Sequence, residues 1–243
     1  MKKNLILSLL LPVAVCVPLT AAAATQTLYN AALNSLPSAQ GWSVLAIGAA
    51  ASESVAGGLY TLDTTGAGVG IYGNARISAT PLDTAAGFTL SFSLKVLAES
   101  HTDSSRAGYS VLVVGADPTR AVEIAFWTDH VWTYDYSGGF VHGADASFAT
   151  GAMHNYSLAV AGQQYQLSAD GNLLLSGALK DYTPGGAPYT TPNFIFFGDD
   201  TSRGVSVTQV GSVALTPVPE PAPLAMWLAG LAAAALLRRS AAR

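Results

Sequence analysis

Between positions 88 and 96 apolar and polar residues take strict turns. Phe88, Leu90, Phe92, Leu94 and Val96 stand in one register, Thr89, Ser91, Ser93 and Lys95 in the other. Successive side chains of an extended chain point to opposite faces, so this period of two predicts a strand with one face in a core. Runs rich in β-branched and aromatic residues follow at 109–114, 121–127 and 131–136, with turns at Asp117-Pro118 and Thr128-Asp129-His130. A meander comes next, with strands at 156–161, 164–169 and 172–175. Its turns are Gly162-Gln163 and Asp170-Gly171, the second suited to a type I′ hairpin because both residues tolerate positive φ. Strands at 193–197 and 205–215 complete the pattern, and weaker ones at 42–47, 58–63 and 71–77 precede it. No stretch between Trp42 and Leu215 carries a helical period. About a dozen short strands without helices predict an all-β domain of two stacked antiparallel sheets. Its expected core includes Phe88, Phe92, Leu94, Leu158, Val160, Leu167 and Phe196.

The two ends read as addresses rather than as fold. Lys2-Lys3 precede an apolar run at 5–17, and Ala22-Ala23-Ala24 supplies small residues for cleavage, so residues 1–24 are expected to be a signal peptide. Val13-Ala14-Val15-Cys16 is a weak rival as a lipoprotein box, because Val15 is not small. At the other end, Val218-Pro219-Glu220-Pro221 is followed by an apolar run from Leu224 to Leu237 and then by Arg238-Arg239. The prolines hold the chain extended. The run has 14 residues, short of the ~20 that cross a bilayer comfortably. The arginine pair marks the cytoplasmic side. Pro219, Glu220, Pro221, the short span and Arg238 with Arg239 together resemble the PEP-CTERM sorting signal of exported bacterial proteins. That resemblance implies processing by exosortase, with signal peptidase acting at the other end. A permanent C-terminal anchor or a buried core helix are the alternatives. The expected organisation is 1–24 signal peptide, 25–216 β-sandwich domain and 217–243 sorting signal with its apolar segment at 224–237. The chain is expected to cross the inner membrane and reach the cell envelope or extracellular matrix, held by the membrane through its tail before processing.

Charge and cysteine usage narrow the partners. The single cysteine, Cys16, lies in the signal peptide, so the exported domain is expected to rely on its apolar core rather than on disulfides. Residues 25–216 hold six Lys or Arg against fourteen Asp or Glu, a formal net charge of −8. Such a balance repels phosphate backbones and excludes nucleic acid as a partner.

The strand order, the meander ending in Asp170-Gly171-Asn172 and the final strand pair resemble the concanavalin A-like lectin/glucanase jelly roll, particularly its laminin G-like branch. Leu36-Pro37-Ser38-Ala39-Gln40-Gly41-Trp42, Gly87-Phe88-Thr89-Leu90-Ser91-Phe92 and Asn193-Phe194-Ile195-Phe196-Phe197-Gly198-Asp199-Asp200-Thr201 are similar to phrases in PEP-CTERM proteins that carry such a domain. The resemblance implies a two-sheet antiparallel jelly-roll sandwich, flanked by an N-terminal signal peptide and a C-terminal short transmembrane sorting helix. It implies fold and export rather than activity, since this fold hosts lectins, hydrolases, lyases and adhesion modules.

Catalytic signatures are sparse. Glycosidases of this fold set two carboxylates across a cleft, ~5–5.5 Å apart for retention and farther for inversion. The laminarinase-type pattern Glu-x-Asp-x-x-Glu is absent. Residues 25–216 contain three glutamates, Glu53, Glu99 and Glu123. Glu123 falls on a predicted strand with Ala125 and Trp127 as same-face neighbours, and reads as a strand-edge or solvated residue. No nucleophile elbow and no Ser/His/Asp arrangement is present. The expectation is a chain that is not an enzyme; the alternative is a glycan-active hydrolase or lyase with an unrecognised carboxylate pair.

Metal and ligand candidates remain. His101, His130, His142 and His154 are scattered without zinc or copper spacing. No cofactor is expected, with calcium as the one metal candidate, at Asp199 and Asp200. That pair alone supplies too few of the ~6–8 oxygens calcium takes, and it reads equally as a turn in which Asp side chains bond nearby amides. Phe126, Trp127, Trp132, Tyr134, Tyr136 and Phe140 crowd into fifteen residues. If Ile124 and Phe126 face the core, Glu123, Ala125 and Trp127 share the other face, and Trp132, Tyr134 and Tyr136 share one on the return strand. One aromatic set packs in the core. The other is a candidate platform for a sugar ring, with Trp127, Trp132, Tyr134, Tyr136 and Asp129 as the ligand-binding candidates and an extracellular polysaccharide as the expected partner.

Overall fold

The computed structural model describes residues 24–48, 50–66 and 70–218. The expectations at 1–23 and 219–243, including most of the signal peptide and the sorting tail, lie outside the described residues. Among the described residues no helix is long and apolar enough to cross a membrane.

Two antiparallel sheets face each other. The first has eight strands: β13 (Asn172–Ala178), β12 (Gln164–Ala169), β11 (His154–Ala161), β6 (Phe88–His101), β15 (Gly204–Pro217), β4 (Leu59–Asp63) and β3 (Ser52–Ala56) in that order, with β1 (Gln26–Asn30) beside the end of β15. The second has seven: β10 (Phe140–Ser147), β9 (His130–Tyr136), β8 (Ala121–Phe126), β7 (Ser110–Val114), β14 (Phe194–Asp199), β5 (Ile71–Ile77) and β2 (Ser43–Ile47). The period of two holds in β6, whose apolar positions from Phe88 to Val96 are all buried. Cross-strand register builds on it. Phe92 faces Tyr156 on one side and Val213 on the other, and Leu90 faces Leu158 and Leu215. These residues, with Ile195 and Phe197 from the facing sheet, fill the space between the layers.

The second meander turn has Asp170 at φ 49 and Gly171 at φ 81, the paired positive φ of a type I′ hairpin. Three strands escape the sequence pattern: β1, β3 and the edge strand β10. One core expectation is corrected. Phe196 is buried, but not between the sheets; β14 sends Ile195 and Phe197 inward and Phe196 to the opposite face, where it joins a second apolar cluster.

Candidate functional site

That second cluster lies on the outer face of the seven-stranded sheet, and the sequence builds it strand by strand. β8 reads Ala121-Val122-Glu123-Ile124-Ala125-Phe126, and all six are buried, because the strand is central and covered on both sides. Val122, Ile124 and Phe126 enter the inter-sheet core, leaving Ala121, Glu123 and Ala125 on the outer face. Leu112, Trp132, Tyr134 and Phe196 lie around them. Gly73 on β5 lets the Phe196 ring lie against the backbone: a Cβ there would come 2.5 Å from that ring and 2.6 Å from the Phe197 carbonyl oxygen.

Glu123 is the anomaly in this surface. Its carboxyl is fully buried, which corrects the expectation of a strand-edge or solvated glutamate. The Ser110 hydroxyl donates to Oε1 at 2.8 Å, and the Tyr189 hydroxyl reaches Oε2 at 3.3 Å. The same Tyr189 hydroxyl lies 3.4 Å from Oδ2 of Asp200. Burial, and then the charge of Asp200, push the Glu123 carboxyl well above the usual carboxylate range. Tyr189 has one proton and two carboxyls to serve. Asp200 Oδ1 is buried and unbonded, so the cluster is one donor short.

Loops bring these groups together. The segment between β13 and β14 is pinned by Lys180, whose backbone exchanges hydrogen bonds of 2.8 and 2.9 Å with Ala121. Tyr182 is buried beneath it and donates to the Tyr134 carbonyl at 2.7 Å. Tyr189 then packs on Phe140 with ring centres 4.7 Å apart. The loop between β6 and β7 is fixed by Trp127, whose Nε1 donates to the Arg106 carbonyl at 2.9 Å. Arg106 Nη1 in turn donates to the Phe140 carbonyl at 3.0 Å. Between these loops runs an open groove of about 660 Å³, lined by Leu45, Ile71, Arg106, Leu112, Tyr134, Phe140, Tyr189, Phe196, Asp200 and Arg203. Its size falls in the range of small-ligand sites, and its lining is largely apolar with a few convergent polar groups. The Tyr134 hydroxyl is buried at this surface without a well-formed hydrogen bond.

The aromatic candidates divide. Trp127, Trp132, Tyr134 and Tyr136 all lie on the outer face, which corrects the expectation that one strand's set would pack in the core while the other lay open. Of these Tyr134 lines the groove. Trp132 is fully buried, with His142 stacked on it at 4.1 Å and 10°. Trp127 is half-buried and carries His101 stacked at 4.2 Å and 11°. Each indole thus has one face taken by a histidine. Tyr136 packs edge-on to Phe140, and Asp129 sits exposed in the β8–β9 turn beside His130, with 3.0 Å between Oδ1 and Nδ1. The calcium candidates also part company. Asp199 turns inward, its Oδ1 accepting from the Thr201 amide at 3.0 Å, while Asp200 lines the groove. Among the described residues no group of three or more His, Cys, Asp or Glu is arranged to hold a metal. Sequence reasoning missed Arg106 and Tyr189 altogether. The readable signal for Glu123 was a lone carboxylate inside a run of strand formers with no polar alternation.

No protein-family model and no curated protein matches the chain. Solved structures do. The carbohydrate esterase of Shiga toxin-encoding bacteriophage phi24B is similar at a TM-score of 0.56 and 17% identity, over 81% of this chain and 100% of that one. A point mutant of the Emp46p carbohydrate recognition domain is similar at a TM-score of 0.50 and 10% identity, over 78% of this chain and 94% of that one. An alginate lyase, at a TM-score of 0.42 and 14% identity over 68% of this chain and 82% of that one, is too distant to bear on it. The first two likenesses, with the strand pairing above, establish the fold: an all-β, two-sheet antiparallel sandwich. They also correct the expectation of a chain that is not an enzyme. A structure sharing the fold along its whole length is that of a carbohydrate esterase, and Glu123 and Asp200 share the Tyr189 hydroxyl, a carboxyl pairing that the sequence did not show.

Proposed function

We propose that this chain is an exported glycan-active protein that holds a saccharide in the outer-face groove and moves a proton with Asp200, backed by Glu123 and Tyr189. The supporting observation is the shared Tyr189 hydroxyl, 3.3 Å from one carboxyl and 3.4 Å from the other, at the wall of an aromatic-lined groove. Glu123 lies beneath Asp200 rather than across a cleft from it, so the two carboxyls work as one proton-holding unit. That geometry differs from the flanking carboxylates of retaining and inverting glycosidases. Asp200 faces the ligand and is the group able to take a proton from a sugar carbon or a water, or to give one to a leaving oxygen. Glu123 returns or withdraws the proton from below. The Tyr189 hydroxyl bridges the two carboxyls, and Tyr134 lines the same space. The Pro219-Glu220-Pro221 tail with Arg238 and Arg239 supports delivery to the envelope through exosortase, and the domain's charge of −8 speaks against nucleic acid.

The test is a panel of polysaccharides and acylated saccharides incubated with wild type, Asp200→Asn and Glu123→Gln. Release of reducing ends, of unsaturated sugar products and of free acyl groups is followed. Turnover by wild type that falls by ~10²–10⁴-fold in Asp200→Asn supports the assignment. Turnover untouched by either substitution would remove the carboxyl pair from the chemistry.

A further inference from the structure

We propose that the saccharide in this groove carries a carboxylate, and that Arg106 receives it. The inference rests on the groove reading above and adds the class of ligand. Residues 25–216 have only six cationic side chains against fourteen acidic ones, yet Arg106 and Arg203 both line this groove. Of the fourteen acids, Asp200 alone is in the lining, and the carboxyl beneath it, Glu123, is buried without contact with solvent. Charge is therefore sorted: an acidic domain turns a third of its cations toward one depression.

The two arginines differ in what they have left to give. Arg203 Nη1 is bound to Asp103 Oδ2 at 2.9 Å, so its charge is largely answered. Asp103 feels the charge of Arg106 as well but binds Arg203. Arg106 is held by one nitrogen only. Nη1 donates to the Ser105 and Phe140 carbonyls, which fix the guanidinium plane, and among the described residues Arg106 forms no ion pair. Nε and Nη2 remain for a ligand, and a planar guanidinium pinned on one side is the donor best matched to a carboxylate. A neutral sugar leaves the Arg106 charge unanswered in a half-apolar site, which disfavours it. The surface charge of the rest of the domain repels an acidic glycan everywhere else, so recognition is confined to this depression.

The experiment uses the purified full chain and a panel of uronate- and sialate-bearing oligosaccharides, each paired with the same oligosaccharide after reduction of its carboxyls to alcohols. Binding is measured by calorimetry at low and high salt for wild type, Arg106→Lys and Arg106→Met, with melting temperature as the check on folding. Wild type is expected to bind at least one acidic member, to lose roughly tenfold or more of that affinity on carboxyl reduction, and to bind more weakly in salt. Arg106→Lys keeps the charge and loses the fork, so it should fall between wild type and Arg106→Met. Reduced oligosaccharides bound as tightly as their acidic parents by wild type, whose folding is not in question, overturn the inference and leave the groove reading standing. An acidic oligosaccharide bound equally by all three folded proteins also overturns it. Binding of no member of either kind overturns both readings.

Discussion

Replacing Asp199 by Asn isolates one buried carboxyl and makes a quantitative claim. Asp199 is 3% exposed at the end of β14. Burial, and behind it the charges of Asp200 and Glu99, push its carboxyl up to about 8, against bonds from the Thr201 amide and the Thr64 hydroxyl that favour the ionised form. In the unfolded chain the same group ionises near 3.8. As pH rises from 4 to 8 the unfolded chain releases this proton while the folded chain keeps it, so folding stability falls across that window. A gap of about four units corresponds to about 5 kcal/mol when the window has been crossed, and to roughly 4 kcal/mol at pH 7. Asn keeps the oxygen that accepts from the Thr201 amide and has no proton to release. Asp199→Asn is therefore expected to match wild type near pH 4 and to be more stable by roughly 4 kcal/mol at pH 7. Urea unfolding followed by tryptophan fluorescence at pH 4, 5.5, 7 and 8.5 measures the difference. Parallel stability curves for the two proteins, or an Asn variant less stable at pH 7, would refute the reasoning.

Three other outcomes follow from the same packing. Phe92 is 2% exposed and stacked on Tyr156 with centroids 5.2 Å apart, so Phe92→Ala should cost about 3–5 kcal/mol in urea unfolding, and a loss below about 1 kcal/mol would contradict its place in the core. Gly73→Ala drives a methyl into Phe196 and should cost about 1–3 kcal/mol while weakening saccharide binding; an unchanged protein would show that the floor of the groove does not depend on this close approach. For the ends of the chain, intact-mass measurement from a host with the sorting protease should give a protein that begins near Thr25 and lacks Leu224 onward, whereas a mass retaining Arg238 and Arg239 indicates a plain anchor.

The sandwich was legible because its strongest strands carry their burial in their periodicity. The strands at 71–77 and 164–169 appear in the structure with the predicted bounds, and 88–96 forms the start of a longer strand that runs to His101. The strands that escaped notice are edges. β3 reads Ser52-Glu53-Ser54-Val55-Ala56, and β10 passes through Gly143-Ala144-Asp145 with a register shift between His142 and Asp145. Such strands are defined by the partner they pair with, and local preference says little about them. Alternation told which aromatics share a face within each strand, but not that Trp127 lies on the same outer face as Trp132, Tyr134 and Tyr136, nor what lies on top. His101 and His142, from β6 and β10, cover the two indoles. The groove was less legible still. Arg106, Glu123, Tyr134, Tyr189 and Asp200 come from two loops, two central strands and a strand end, each ordinary in its local context. Only the topology that sets β8 beside β7, and the loop anchored by Lys180 across Ala121, makes them neighbours.

The central claim is that a saccharide occupies the outer-face groove over the Glu123–Asp200 pair. Chemical-shift mapping of the labelled protein during titration with a bound oligosaccharide tests it most directly, with the Glu123 carboxyl carbon observed alongside the amides. The account predicts that shifts concentrate at Arg106, Tyr134, Tyr189 and Asp200, and that the Glu123 carboxyl, held above the usual carboxylate range by burial, responds on saturation. Shifts confined to the eight-stranded sheet or to the Trp127, His101 and His130 neighbourhood, with the Glu123 signal unmoved, would contradict it.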